Sequence, residues 1–157
     1  MSLETAAEEI SPQVALRRAL SLFPTGVVAL AAVVDGEPTG IAVNSFTSVS
    51  LDPPLVAVCP ARTSATWPVL ARATRIGLSV LGADQESTAR SLASRTGDRF
   101  ADIAWRATEG GAIHMDGAAL WLECEIRNSF DGGDHEIVTV EVINSEAFPE
   151  VTPLVFH

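Results

Sequence analysis

Residues 40–60 read Gly40-Ile41-Ala42-Val43-Asn44-Ser45-Phe46-Thr47-Ser48-Val49-Ser50-Leu51-Asp52-Pro53-Pro54-Leu55-Val56-Ala57-Val58-Cys59-Pro60. Their centre sets polar Asn44, Ser45, Thr47, Ser48 and Ser50 around only two large apolar side chains, Phe46 and Val49. Partial alternation and β-branched residues predict a strand, and Asp52-Pro53-Pro54 is expected to stop its ladder because proline has no N–H. Residues 55–59 are continuously apolar, which predicts a strand covered on both faces. Short hydroxyl and amide side chains leading into a buried strand suit contact with a flat polar ligand, because small residues let backbone groups approach it closely. The same composition also suits a solvated sheet edge.

Upstream, residues 27–34 form the longest apolar run, eight residues ended by Asp35, and predict a buried strand. Asp35-Gly36-Glu37-Pro38 predicts the turn of a hairpin that returns through residues 39–50. Before it, Ser11-Pro12 marks a helix start, with Ser as N-cap and Pro at the first helical position. Val14, Leu16, Leu20 and Phe23 give that helix a loose apolar stripe, Arg17 and Arg18 suit its C-terminal half, and Pro24 and Gly26 end it. Residues 1–10 are polar and acidic and are expected to form a loose arm, leaving 11–157 as one domain.

Downstream, the pattern predicts a helix over 64–73, a strand over 75–81, and a helix over 83–94 with Ala89, Leu92 and Ala93 inward. Residues 96–111 read mostly as loop. Residues 118–126 and 136–143 alternate as strands around an Asp131-Gly132-Gly133-Asp134 turn, and 151–156 make a last short strand. Strands this close leave no room for βαβ crossovers, so the expected fold is a mainly β, antiparallel barrel with short flanking helices. No Gly-x-Gly-x-x-Gly lies between a strand and a helix, which argues against a doubly wound dinucleotide fold.

Net charge is −10 over 157 residues, and every basic residue is arginine. An acidic chain with no basic run argues against nucleic acid and anionic membrane as partners. The apolar run is also far shorter than a membrane helix needs, and the acidic beginning does not read as a secretory signal. A cytoplasmic protein is the expectation. Cys59 and Cys124 both sit in apolar strand-like runs without Cys-x-x-Cys spacing, which predicts two buried thiols. His114, His135 and His157 stand in no zinc-ligand spacing with them.

Three further segments carry polar groups that chemistry needs. Arg62-Thr63-Ser64-Ala65-Thr66-Trp67-Pro68 follows a buried strand and opens a helix, so Ser64 and Thr66 are either ordinary caps or part of a phosphate cradle. Arg99-Phe100 is either a surface pair beside Asp98 and Asp102 or a cation and a wall for an anionic ligand. His135 follows a glycine-rich turn and is either solvated or a site residue. Trp67, Trp105 and Trp121 are expected as core or interface anchors.

Taken together, Phe23-Pro24-Thr25-Gly26-Val27, the NSFTSVSLDPPLV block, the Ser64-x-Thr66 pair, Arg99-Phe100 and Gly133-Asp134-His135 stand in the order found in the flavin reductase family, which the chain resembles from about Ala19 onward. The resemblance implies an FMN-binding split β-barrel that reduces FMN or FAD with NADH or NADPH. It implies that Ala61, Ser64 and Thr66, with Arg99 and Phe100, hold the flavin and its phosphate. It also implies that Thr25, Asn44, Ser45 and Thr47 line the isoalloxazine pocket and that His135 approaches the nicotinamide nucleotide. Members of the family are homodimers with flavin at the subunit interface, and often supply reduced flavin to a partner monooxygenase. A non-catalytic flavin binder or electron carrier on the same barrel is the competing reading. Ala42 stands where many relatives have Thr, Ser79 replaces a common Asn, and relatives continue past His157 through a basic tail, which bears on how the nucleotide is held.

Overall fold

The computed structural model describes residues 9–157, so most of the expected arm lies outside the described residues. Helix α1 (Pro12–Leu20) begins as expected: the Ser11 hydroxyl accepts the Val14 N–H, Pro12 opens the helix, and Arg17 and Arg18 occupy its last turn. None of its residues is buried. The stripe of Val14, Leu16 and Leu20, continued by Leu22 and Phe23, faces outward rather than into this chain's core.

Strand β1 (Thr25–Gly26) leads into β2 (Val28–Val34), which is buried at all but one position. Its two faces enter different cores. Val28, Leu30, Ala32 and Val34 join one cluster with Val56, Val58, Leu78, Leu122, Val138 and Val140. Ala29 and Ala31, together with Val27, pack in a second with Leu81, Leu92, Phe100, Ile113 and Met115. With both faces covered, the strand has no use for polar alternation. Asp35 and Gly36, with φ of 51° and 78°, form the two-residue turn into β3 (Glu37–Val43).

The return strand does not run unbroken to residue 50. It stops at Val43, and β4 (Phe46–Leu51) starts after Asn44-Ser45. Ser45 Oγ accepts the Cys59 N–H at 2.9 Å and donates to the Cys59 carbonyl at 3.2 Å, so a side chain takes the place of a ladder rung. Nor does the proline pair stop the ladder. It makes a tight turn, and Pro54, paired with Leu51, is the first residue of β5 (Pro54–Val58), a position where a missing N–H is tolerated.

Helix α2 (Trp67–Leu70) is a single turn, shorter than expected, while β6 (Ile76–Val80) and α3 (Glu86–Ala93) fall close to their predicted places. In α3, Leu92 is buried and Ala89 packs beside it, but Ala93 is exposed. The segment read as loop contains β7 (Trp105–Ala107), which forms a small hairpin with β8 (Ile113–Met115) just beyond it. It crosses β6 at Gly77, where a Cβ would lie 2.0 Å from the Ile113 carbonyl oxygen, so only glycine permits the approach. Strands β9 (Leu120–Gly132) and β10 (His135–Ala147) extend beyond both predicted segments as one long hairpin. β11 (Val155–Phe156) closes on β1.

The main sheet has the order β3-β2-β6-β9-β10-β5-β4, antiparallel throughout. Its two edges, β3 and β4, are consecutive in the chain and separated only by Asn44-Ser45. So short a connection forces the sheet to curl until its edges meet, with the first core inside the curl and the second under α3 and β8. Among the described residues no helix is long and apolar enough to cross a membrane.

Candidate active site

The Asn44-Ser45 joint fixes the neighbouring loop. Ser45 holds Cys59, and one residue later Pro60 accepts the Glu136 N–H at 3.0 Å. Ala61 and His135 then face each other in an antiparallel bridge, and the Arg62 N–H donates to the Asp134 carbonyl at 2.9 Å. These bonds place the loop carrying Ser64 and Thr66 beside the Gly133-Asp134-His135 turn. His135 is exposed; its Nδ1 lies 2.7 Å from the Asp134 carboxylate, to which it donates. That hydrogen bond, then the charge of the ring, holds the Asp134 carboxyl below its usual range. It also leaves Nε2 directed away from Asp134 for an incoming group.

A second assembly involves Thr66 at the start of α2. Thr66, Arg99 and Phe100 line one cavity of about 280 Å³ with Pro38, Thr39 and Gly40. Arg99 Nη1 donates to the Gly40 carbonyl at 2.9 Å, and the Phe100 N–H donates to Asp98 Oδ1 at 2.9 Å, so the pair is anchored rather than loose on the surface. Gly40 is required there, since a Cβ would sit 2.8 Å from the Phe100 ring and 3.0 Å from the Leu30 carbonyl oxygen. Phe100 is buried and meets Trp105 edge to face. Ser64, not Thr66, caps the short helix: its Oγ accepts the Trp67 N–H at 3.1 Å and keeps its own proton for another acceptor. Thr66 makes no capping bond and its hydroxyl is free for the cavity. A one-turn helix has little macrodipole, so the expected help from it is small.

The remaining positions are spread along the joint. Asn44 and Thr47 are exposed on either side of Ser45, and the Thr47 hydroxyl makes only a 3.3 Å contact with the Ser48 carbonyl. Thr25 pairs with Phe156, and its Oγ1 is buried without a hydrogen-bond partner. It shares no bond with the other predicted site residues. Two contributors were not legible as such in the sequence: Gly40, revealed only by what packs against it, and Arg62, whose partners lie on a distant turn. His114 is buried on β8, stacked on Trp121, with Nε2 3.1 Å from the Leu122 carbonyl oxygen. Trp67 is a core residue as expected, and Trp105 and Trp121 are half-buried anchors.

Residues 20–157 match the flavin reductase like domain. The chain belongs to the flavin reductase family. It is 36% identical over 158 residues to the flavin reductase of Pseudomonas putida, covering all of this chain and 92% of that one. It is 36% identical to the HsaB reductase subunit of a flavin-dependent monooxygenase from Rhodococcus jostii, covering 97% of this chain and 77% of the relative. Among solved structures, the NADH:FAD oxidoreductase of Streptomyces globisporus C-1027, in complex with NAD and FAD fragments, superposes with a TM-score of 0.87. It is 40% identical, with 96% of this chain and 92% of that one covered. The curled antiparallel sheet is therefore the split barrel of the flavin reductases, as the family resemblance implies.

Proposed function

We propose that this flavin reductase transfers a hydride from NADH or NADPH to FMN or FAD, and that the reduced flavin serves a partner monooxygenase. The observation that carries the reading is the junction of the Ser64-Thr66 loop with the His135 turn, which puts the family's flavin and nicotinamide motifs side by side.

The groups present fit a flavin. Arg99 offers a fixed cation, Thr66 and Ser64 offer hydroxyl protons, and Thr25 offers a buried hydroxyl that nothing among the described residues satisfies. Flavin bound there supplies the hydride acceptor, and the nicotinamide supplies the hydride. Arg99, Thr66 and Ser64 bind the phosphate. Asn44, Thr47 and the backbone of Ser45 line the ring edge; the Ser45 hydroxyl itself is committed to Cys59. Ala61 supplies a small side chain at the closest approach of loop and turn. His135 orients the nicotinamide nucleotide through Nε2. The rate then comes from holding two rings at reacting distance, with no nucleophile required.

A homodimer is part of this reading. It is supported by the exposed apolar residues of α1 and by exposed Leu51, Phe130, Val155 and Phe156, which nothing among the described residues covers. Service to a monooxygenase is supported by relatives that are reductase subunits of such systems. The test is consumption of NADH and of NADPH by the purified protein with FMN and with FAD. Flavin binding without nicotinamide oxidation would instead favour an electron carrier.

A further inference from the structure

We propose that Arg62 is a positioning residue for hydride transfer: it clamps the Gly132-Gly133 turn so that His135 is held in place for the nicotinamide nucleotide. The inference rests on the role given above to His135.

The long β9–β10 hairpin ends in an exposed tip, from Arg127 to His135, built around two glycines, and Gly133 has a φ of 76°. Such a tip has little stiffness of its own. Among the described residues, every hydrogen bond reaching it from outside the hairpin is donated by Arg62, and the next residue, Glu136, donates to the Pro60 carbonyl. There are three of them, all from Arg62. Its backbone N–H donates to the Asp134 carbonyl at 2.9 Å, Nε donates to the Gly133 carbonyl at 2.8 Å, and Nη2 donates to Asp131 Oδ1 at 2.7 Å. Glu136 lies 3.8 Å from Nη1. An exposed ion pair alone holds little. Here one planar fork grips the Asp131 carboxylate and the Gly133 carbonyl, on either side of Gly132, which a point charge such as lysine cannot reproduce. The side chain therefore transmits the position of the flavin-binding loop to the histidine.

The test is a double-mutant cycle of Arg62→Ala and His135→Ala, with Arg62→Lys as a control. Each alanine variant is expected to lower kcat/KM for NADH by about five- to thirtyfold, and the double variant to fall no more than about twofold below His135→Ala. Kd for both FMN and riboflavin should stay within about twofold, and Arg62→Lys should recover only part of the loss. Without flavin or NADH present, amide exchange in residues 129–137 should quicken about tenfold in Arg62→Ala and stay near wild type in His135→Ala. Multiplying losses in the double variant, unchanged exchange, or a loss of FMN affinity that spares riboflavin would each overturn the proposal. The last would make Arg62 a phosphate ligand. If His135→Ala alone leaves NADH kinetics intact, the premise fails, and the exchange result shows separately whether the clamp exists.

Discussion

Ala61 and His135 face one another across a single antiparallel bridge, so the loop carrying Ser64 and Thr66 and the turn carrying the histidine move as one piece. His135 opens the long β9–β10 ladder, whereas Ala61 lies beyond the end of β5. Their mutual position depends on this bridge and on the Pro60 and Arg62 bonds around it.

The phosphate assignment predicts selectivity between ligands. Replacing Thr66 and Ser64 together by Ala removes two hydroxyl donors, each worth about 1.5–3 kcal/mol against a charged acceptor. FMN affinity should fall at least about tenfold, and riboflavin affinity should hardly change. Fluorescence titration with the two ligands checks it; equal losses would place the phosphate elsewhere.

Gly40 should be intolerant of any side chain. A Cβ there meets the Phe100 ring and the Leu30 carbonyl, so Gly40→Ala must displace Phe100 and, with it, Arg99. Overpacking of this kind costs about 1–3 kcal/mol. Thermal unfolding should shift down, and FMN binding should weaken more than riboflavin binding, because Arg99 loses its carbonyl anchor.

Ser45→Ala removes both bonds to the Cys59 backbone while keeping the volume nearly constant. Leaving those half-buried groups unpaired costs about 1–3 kcal/mol. Ser45→Ala should therefore lower stability in urea titration and slow flavin reduction together, since the same joint fixes both.

The two thiols should behave differently. Cys124 is fully buried, and burial, with a smaller contribution from Glu123, pushes its pKa up from 9.0 to about 12. Cys59 is half-buried. A thiol reagent at neutral pH should label Cys59 alone in the folded protein and both thiols after denaturation. Between pH 9 and about 12 the unfolded thiol ionises while the folded one does not, so Cys124 contributes stability below that window that is lost across it. A Cys124→Ala variant should show a shallower alkaline loss of stability.

Much of the fold was legible because local chemistry and tertiary context agree. Ser11-Pro12 caps a helix wherever it stands, Asp35-Gly36 turns a hairpin by its own dihedral preferences, and the unbroken run of β2 announces burial on both faces. What was hidden depends on distant partners. The break between β3 and β4 is made by a hydroxyl reaching fourteen residues on, to Cys59. The β7–β8 hairpin has three-residue strands and exists because Ile113 and Met115 are buried behind Gly77. In the candidate site, Thr66, Arg99 and His135 stand out by motif order alone, whereas Arg62 gains its meaning only from the turn it grips.

The central claim is hydride transfer at the junction of that loop and turn, and anaerobic stopped-flow mixing of the flavin-loaded protein with NADH tests it most directly. The account predicts that flavin absorbance bleaches in step with NADH oxidation, far faster than for free flavin, and that His135→Ala slows this at an unchanged flavin affinity. Tightly bound flavin that NADH and NADPH reduce no faster than free flavin would contradict it.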